Sequence, residues 1–100
     1  MVDAPAQWTL RIYIAGKSPK SMTALANLRS ICETELAPGY EIEIVDLQER
    51  PELARQHQIV AIPTVVRVLP DPIRKVIGDL SKRERVLVGL DLLPRTGTSG

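Results

Sequence analysis

The sequence predicts a single small α/β domain whose strands and helices follow the order βαβαββα. The chain has 100 residues, of which 44% are apolar and 25% are charged, an ordinary balance for one globular domain. Two segments in its first half alternate apolar and polar residues as strands do, and a long stretch with helical spacing separates them. We expect residues 1–94 to form the domain and residues 95–100 to be a flexible tail.

The first strand and the first helix have clear signals. Trp8–Ile14 alternates apolar and polar positions, which is typical of a strand. Ser18 is the predicted N-cap of the helix, and Pro19 is its first residue, where the missing N–H of proline has no cost. Ala37–Pro38–Gly39 ends the helix. The apolar face of this helix is predicted to consist of Met22, Leu25, Leu28, Cys32 and Leu36.

Two further strands and a short helix follow. Tyr40–Leu47 alternates, and because a long helix precedes it, we expect it to run parallel to the first strand. Pro51–His57 is predicted to be a short helix, and Val65–Leu69 a third strand. The βαβ opening followed by Ile-Pro-Thr at residues 62–64 resembles thioredoxins, in which this proline is cis beside the functional site. The resemblance implies a cis bond before Pro63.

The segment Leu69–Leu93 fits two different arrangements. In the first, a proline turn at residues 70–72 leads into a strand at Ile73–Ile77, and Ser81 with Glu84 forms a capping box that starts a helix. That helix would run to about residue 93, with Val86, Leu90 and Leu93 on one face. This arrangement gives the thioredoxin-like order βαβαββα.

In the second arrangement the helix and the strand exchange places. Asp71 caps a helix that begins at Pro72, and the apolar residues Ile73, Val76, Ile77 and Leu80 fall on one face. Val86–Leu92 then alternates as a half-buried strand, which gives the order βαββααβ. Gly89 and Asp91 disfavour a helix there by ~1 kcal/mol and roughly 0.3–1 kcal/mol. Both arrangements remain open, and the capping box and the proline turn favour the first for the isolated chain.

The same residues resemble a known family. PDPIRKVIGDLSKRERVLVGLDLL, together with LRIYIAGKSPKS and the Ile-Pro-Thr motif, is similar to KaiB, the clock protein of cyanobacteria and related bacteria. The resemblance implies a thioredoxin-like state and a second state of different topology, and therefore a fold-switching protein. Candidate residues for the switch, or for cis-proline bonds, are Pro63, Pro70, Pro72, Gly89 and Asp91.

Enzymatic classes find little support among the residues. A redox thioredoxin needs a reactive thiol where the first strand meets the first helix, and Gly16–Ser21 contains none. Cys32 lies on the apolar face of the predicted helix and is interpreted as a core residue. Gly16–Lys17–Ser18 lacks the earlier glycine of a phosphate-binding loop, and the single histidine, His57, gives no metal cluster. We therefore predict no catalytic residue, no cofactor and no metal.

The sequence instead favours a module that binds other proteins. Five basic residues of the C-terminal half are candidates for contact with an acidic partner: Arg74, Lys75, Lys82, Arg83 and Arg85. With a net charge of +1 and few aromatic residues, the chain is not expected to bind nucleic acid. The family resemblance implies binding to the N-terminal domain of the KaiC ATPase ring, and competition with a histidine kinase whose sensor domain has a similar fold. Thr23 and Glu43 depart from the cyanobacterial pattern in the part that contacts KaiA, which argues against KaiA as a partner.

Other functions stay open at this stage. The chain could be a stand-alone sensor or docking module for a histidine kinase, or a thiol-independent glutathione-type binder that uses the site beside Pro63. The second arrangement would bring a different surface forward and a homodimer or homotetramer with it. With one cysteine, no signal peptide and no apolar run of membrane-spanning length, we expect a cytoplasmic protein without membrane association.

Overall fold

The computed structural model describes residues 7–92, and within them the chain has the predicted order βαβαββα. The elements are β1 (Trp8–Ile14), α1 (Pro19–Glu35), β2 (Tyr40–Asp46), α2 (Glu52–Gln56), β3 (Thr64–Leu69), β4 (Arg74–Ile77) and α3 (Arg83–Gly89). The thioredoxin-like arrangement of the last third is therefore the observed one. The predicted tail and Leu93 lie outside the described residues.

The four strands form one mixed sheet in the order β2-β1-β3-β4. β1 and β2 are parallel, as the intervening helix predicts, and Ile12 lies beside Ile44 in their register. β3 is antiparallel to both of its neighbours, β1 and β4. β2 and β4 are thus the two edge strands of the sheet.

The main core lies between one face of the sheet and the helices α1 and α3. Its fully buried residues include Leu10 and Ile12 of β1, Leu28 of α1, and Val86 and Leu90 around the end of α3. These side chains are all aliphatic, in keeping with a sequence that contains no phenylalanine. The other face of the sheet has a smaller core around Tyr13, Leu47, Ile59 and Val66. α2 is only five residues long and covers this second face in part.

The N-terminus of α1 agrees with the sequence, whereas part of its predicted apolar face does not. The Ser18 hydroxyl accepts a hydrogen bond from the Ser21 N–H at 3.3 Å, and Pro19 follows directly as predicted. The prediction that Met22 is buried is wrong, since 37% of its surface is exposed. Ser21 and Ala24 lie against the sheet instead, because small side chains let the helix approach closely and the Ser21 hydroxyl accepts from the Ala15 N–H at 3.1 Å.

The predicted capping box at the start of α3 is also wrong. Lys82 is the N-cap, and no side chain bonds to the first helical amides. Ser81 is used in the preceding turn, where its N–H donates to Asp79 Oδ1 at 3.0 Å. Hydrogen bonds from the Ser81 backbone and hydroxyl hold the pKa of Asp79 below its usual range. The Asp79 carbonyl accepts from Asn27 Nδ2 at 2.8 Å, which ties this turn to α1.

Candidate docking surface

The turn between β1 and α1, where redox thioredoxins have their reactive thiol, contains no cysteine here and is held by hydrogen bonds to Asp46. Gly16 adopts a positive φ of 58°, and a side chain at this position would meet that of Gln48. The Gly16 N–H donates to Asp46 Oδ1 at 2.9 Å, and the same oxygen accepts from the Gln48 N–H at 2.9 Å. One carboxylate thus holds the ends of β1 and β2 together, and Lys17 and Ser18 follow without a thiol.

Cys32 is buried in the main core, as the sequence predicts. Its surface is fully covered, and burial raises the pKa of the Cys32 thiol to about 12 from an ordinary value of 9.0. At neutral pH the thiol is therefore protonated, and the thiolate that attacks disulfides is almost absent. The chain offers no reactive sulfur for thioredoxin chemistry.

We expect Cys32 in the folded protein to resist thiol reagents. At pH 8 the thiolate fraction should be about a thousandfold below that of a free cysteine with an ordinary pKa, and burial also excludes the reagent. The reaction rate with an aromatic disulfide reagent, measured in buffer and in urea, checks this, with the unfolded chain as the control. Equal rates in the two solutions would contradict the assignment of Cys32 to the core.

Four of the five basic candidates lie on one edge of the fold. Arg74 and Lys75 are exposed on β4, and Lys82 and Arg85 are exposed at the start of α3. Lys82 and Arg85 line a shallow groove of about 120 Å³ whose other walls come from β4 and the turn after it. We call β4, α3 and this groove the β4–α3 surface. Arg83 points elsewhere, because its Nη2 donates to Glu35 Oε2 at 3.0 Å and joins α3 to α1.

The three proline candidates lie at the two ends of β3. The peptide bonds before Pro63, Pro70 and Pro72 are all cis, as is the bond before Pro38. Pro63 is buried just before β3, next to the exposed residues Val60 and Ile62. Pro70 and Pro72 form the turn from β3 to β4.

Arg67 connects this turn to the end of α3, a role that the sequence analysis missed. It is 2% exposed, and it is the residue of β3 that pairs with Arg74 of β4. Its Nη1 donates to the carbonyls of Leu90 and Asp91, both at 3.0 Å, and its Nη2 donates to the Pro72 carbonyl at 2.7 Å. One guanidinium therefore satisfies carbonyls at the C-terminus of α3 and in the proline turn. The signal in the sequence was an arginine within the otherwise apolar run of β3, TVVRVL, because a buried arginine needs hydrogen-bonding partners.

Two further contacts complete the surroundings of Arg67. Its guanidinium carbon lies 5.7 Å from the centroid of the Trp8 ring, a cation–π distance. The Asp91 carboxylate is 3.8 Å from Nη1. Within residues 7–92, Arg67 Nε is a buried side-chain nitrogen without a hydrogen-bond partner. The positive charge at the negative end of the α3 dipole stabilises that helix.

The structure places Gly89 and Asp91 at the end of α3. Gly89 is the last helical residue, and a β-carbon there would lie 2.6 Å from Val76 Cγ2, so glycine allows α3 to approach β4. Asp91 has a positive φ of 54°, and its N–H donates to the Val88 carbonyl at 3.1 Å. Both residues thus take part in the turn that ends the helix, rather than in a strand.

A polar network on the second face of the sheet was not foreseen. Tyr13 hydroxyl and His57 Nδ1 are 2.7 Å apart, and Arg11 Nη1 donates to the same hydroxyl at 3.4 Å. Arg11 Nε donates to Glu43 Oε1 at 2.8 Å, so the chain of contacts reaches β2. His57 is the C-cap residue of α2, and its ring contacts the Tyr13 hydroxyl through Nδ1. Among the described residues, no group of His, Cys, Asp and Glu side chains is arranged to hold a metal ion.

Comparison with known proteins agrees with this geometry. The family model described as KaiB domain matches residues 11–92. The circadian clock oscillator protein KaiB of Synechococcus sp. strain RCC307 is 50% identical over 86 residues, covering 86% of this chain and 78% of that protein. The protein of the same name from Nostoc punctiforme is 46% identical over 93 residues, covering 93% of this chain and 89% of the relative.

Solved structures show the same fold. The N-terminal domain of Synechococcus elongatus SasA superposes with a TM-score of 0.69 at 17% identity, covering 88% of this chain and 84% of that one. Mitochondrial thioredoxin 3 from Saccharomyces cerevisiae superposes with a TM-score of 0.66 at 17% identity, covering 86% and 78%. At these identities the likeness concerns the fold alone.

The fold and the thiol-free turn define a thioredoxin-like α/β protein that lacks the reactive cysteine of thioredoxins. The chain belongs to the KaiB family, whose curated relatives are circadian clock proteins. Among residues 7–92, no helix has the length and apolarity that crossing a membrane would require.

Proposed function

We propose that this chain is a non-enzymatic regulator that binds the ATPase ring of a KaiC-type protein through its β4–α3 surface, in the thioredoxin-like arrangement and in the cytoplasm. The observation that supports this most is the grouping of Arg74, Lys75, Lys82 and Arg85 on one edge of the fold, inside the region that the family model matches. Their charges suit an acidic partner surface. The names of the relatives support a role in a clock or a related regulatory circuit.

The proposed mechanism is selection of one arrangement by binding. A partner shifts the balance between two arrangements only by its different affinity for each of them. If the thioredoxin-like form were about 1% of the free chain, the apparent affinity would fall about a hundredfold. Residues that stabilise α3 and β4 therefore act on partner binding even when they do not touch the partner.

We expect the double variant Lys82→Glu with Arg85→Glu to bind the KaiC-type ring about tenfold to a hundredfold more weakly than the parent chain. Each reversal replaces an attractive charge with a repulsive one at the groove, while neither residue is buried in the core. Native mass spectrometry and gel filtration with the ring, with ATP and without nucleotide, measure the effect.

Arg29→Glu is the control, because Arg29 is an exposed residue of α1 beside Ile42 and Ile44 of β2, at the opposite edge of the sheet from β4. It should leave binding unchanged. The absence of a complex for the parent chain under every nucleotide condition would overturn the proposed function. If the control variant and the double variant lose binding to the ring equally, the ring does not bind the β4–α3 surface specifically.

The departure from the cyanobacterial pattern at Glu43 argues against KaiA as a partner. The Glu43 carboxylate pairs with Arg11 at 2.8 Å, with 40% of the Glu43 side chain exposed. The edge strand β2 carries Glu43, next but one to Glu41, where the cyanobacterial pattern has a lysine. This charge reversal opposes a partner that is adapted to lysine.

A second proposed function is that of a stand-alone module that docks on a histidine kinase. The observation in its favour is the shared fold with the SasA N-terminal domain. The two functions differ in one measurable respect. A KaiC-binding chain should displace a SasA-type domain from the ring, whereas a kinase-docking module should leave that domain on the ring and bind the kinase itself.

A further inference from the structure

Among residues 7–92, the edge strand β4 has main-chain groups that do not bond to any other strand. In that part of the chain, its only neighbour in the sheet is β3. In an antiparallel pair, successive residues direct their N–H and C=O groups alternately toward the partner strand and away from it. The Gly78 N–H donates to the Pro63 carbonyl at 2.9 Å, and Thr64 lies opposite Ile77. Residues 74 and 76 therefore bond to β3, while the groups of Lys75 and Ile77 face the open edge.

The side chains beside this edge are apolar on one face and basic on the other. On the face away from α3, Ile73 is 63% and Ile77 is 56% exposed, with Lys75 between them. On the α3 face, Val76 and Val86 line the groove, and Lys82 and Arg85 form its basic side. β4 is only four residues long and carries Arg74 and Lys75, features that discourage pairing with a second copy of this chain. It nevertheless exposes large apolar side chains beside its open edge, and its positive charges favour an acidic strand as the partner.

We propose that an extended segment of a partner protein, with alternating apolar and acidic residues, binds to β4 as a fifth strand of the sheet. Its main chain bonds to Lys75 and Ile77, its apolar side chains cover Ile73 and Ile77, and its acidic side chains reach Lys82 and Arg85. The proposal rests on the docking function proposed above, and it specifies both the mode of binding and the chemistry of the partner.

This binding mode is specific to one arrangement of the chain. Ile73 and Ile77 also belong to the apolar face of the helix in the alternative arrangement, where their main-chain groups would bond within that helix. The edge of β4 exists only when the thioredoxin-like arrangement is formed. A segment that adds to β4 and does not bind the other arrangement therefore stabilises the thioredoxin-like one by RT ln(1 + L/Kd), where L is the concentration of the free segment.

A synthetic peptide tests the proposal without the ATPase. The probe is a short capped peptide of alternating valine and glutamate, and the control has lysine in place of glutamate. Amide hydrogen exchange followed by NMR should show Lys75 and Ile77 slowing about tenfold with the glutamate peptide, because their N–H groups become bonded. The lysine peptide should leave both rates unchanged, and Val76, already bonded to β3, should not respond to either.

Two variants locate the effect. Lys75→Pro removes the outward N–H while sparing the bonds to β3, and it should abolish binding, whereas Lys75→Met keeps the N–H and should still bind. If Lys75→Pro does not fold, the double variant Lys82→Glu with Arg85→Glu replaces it and should transfer the preference to the lysine peptide. Unchanged exchange at Lys75 and Ile77 with millimolar glutamate peptide, or equal effects of the two peptides, would overturn strand addition. Binding of the ATPase ring is judged separately by its own experiment.

Discussion

Replacing Arg67 with methionine is expected to lower the free energy of unfolding by about 3 to 5 kcal/mol. Methionine fills a similar volume but cannot donate to the carbonyls of Pro72, Leu90 and Asp91, which accept from Arg67 at 2.7 to 3.0 Å. The Leu90 carbonyl would be buried without a donor, the two partly buried carbonyls would lose theirs, and the C-terminus of α3 would lose a positive charge at the negative end of its dipole. Urea unfolding measures the change.

Arg67→Lys is the matched control for geometry. Lysine keeps the charge, but it is a compact donor that cannot span the proline turn and the helix end as the planar guanidinium does. We therefore expect Arg67→Lys to lower the free energy of unfolding by less than Arg67→Met does. Backbone chemical shifts of residues 73–92 would show whether the weakened chain moves toward the alternative arrangement. An Arg67→Met variant as stable as the parent would show that these hydrogen bonds do not hold α3 in place.

Replacing Val88 with lysine should separate the two arrangements. In the observed one, Val88 lies on α3 and is 70% exposed, so lysine costs little and suits a helix slightly better than valine. In the alternative strand, residue 88 shares the inward face with Val86 and Leu90, and an ammonium group there costs about 3 kcal/mol or more. The thioredoxin-like form should therefore gain about a hundredfold in relative population.

Gel filtration and the chemical shifts of residues 73–92 measure this shift, because the alternative arrangement is expected to associate into dimers or tetramers. Val86→Lys is the contrasting variant, since Val86 is 1% exposed here and also faces inward in the alternative strand. It should destabilise both forms. If Val88→Lys weakened the observed fold by more than about 1 kcal/mol, the placement of Val88 on an exposed helical face would be wrong.

The sequence predicted the fold where local signals and burial agree. The alternation in β1 and β2 and the Ser18–Pro19 cap gave those elements correctly, because each depends on near neighbours in the chain. The prediction of a capping box was wrong because the Ser81 N–H donates to Asp79 Oδ1 in a competing local turn. The prediction that Met22 is buried was wrong because α1 turns its small residues Ser21 and Ala24 toward the sheet.

The candidate surface was predicted only in part. The basic residues were visible in the sequence, yet their grouping along β4 and α3, and the separation of Arg83 toward Glu35, depend on tertiary packing. Arg67 was missed because its role depends on the carbonyls of Leu90 and Asp91, which are 23 and 24 positions away, as well as on that of the nearby Pro72. No spacing rule brings the end of α3 to β3. Tyr13 and His57 are likewise 44 positions apart and meet only across the second face of the sheet.

The position of β4 at the margin of the sheet has a consequence for cooperativity. The ladders that join β1 to β2 and β1 to β3 do not involve any residue after Leu69. Detachment of residues 70–92 would therefore leave the ladders of β1 with β2 and β3 intact, although the loss of Val86 and Leu90 would expose the main core. Such a local opening would cost less free energy than global unfolding, because the other three strands would stay hydrogen-bonded to one another.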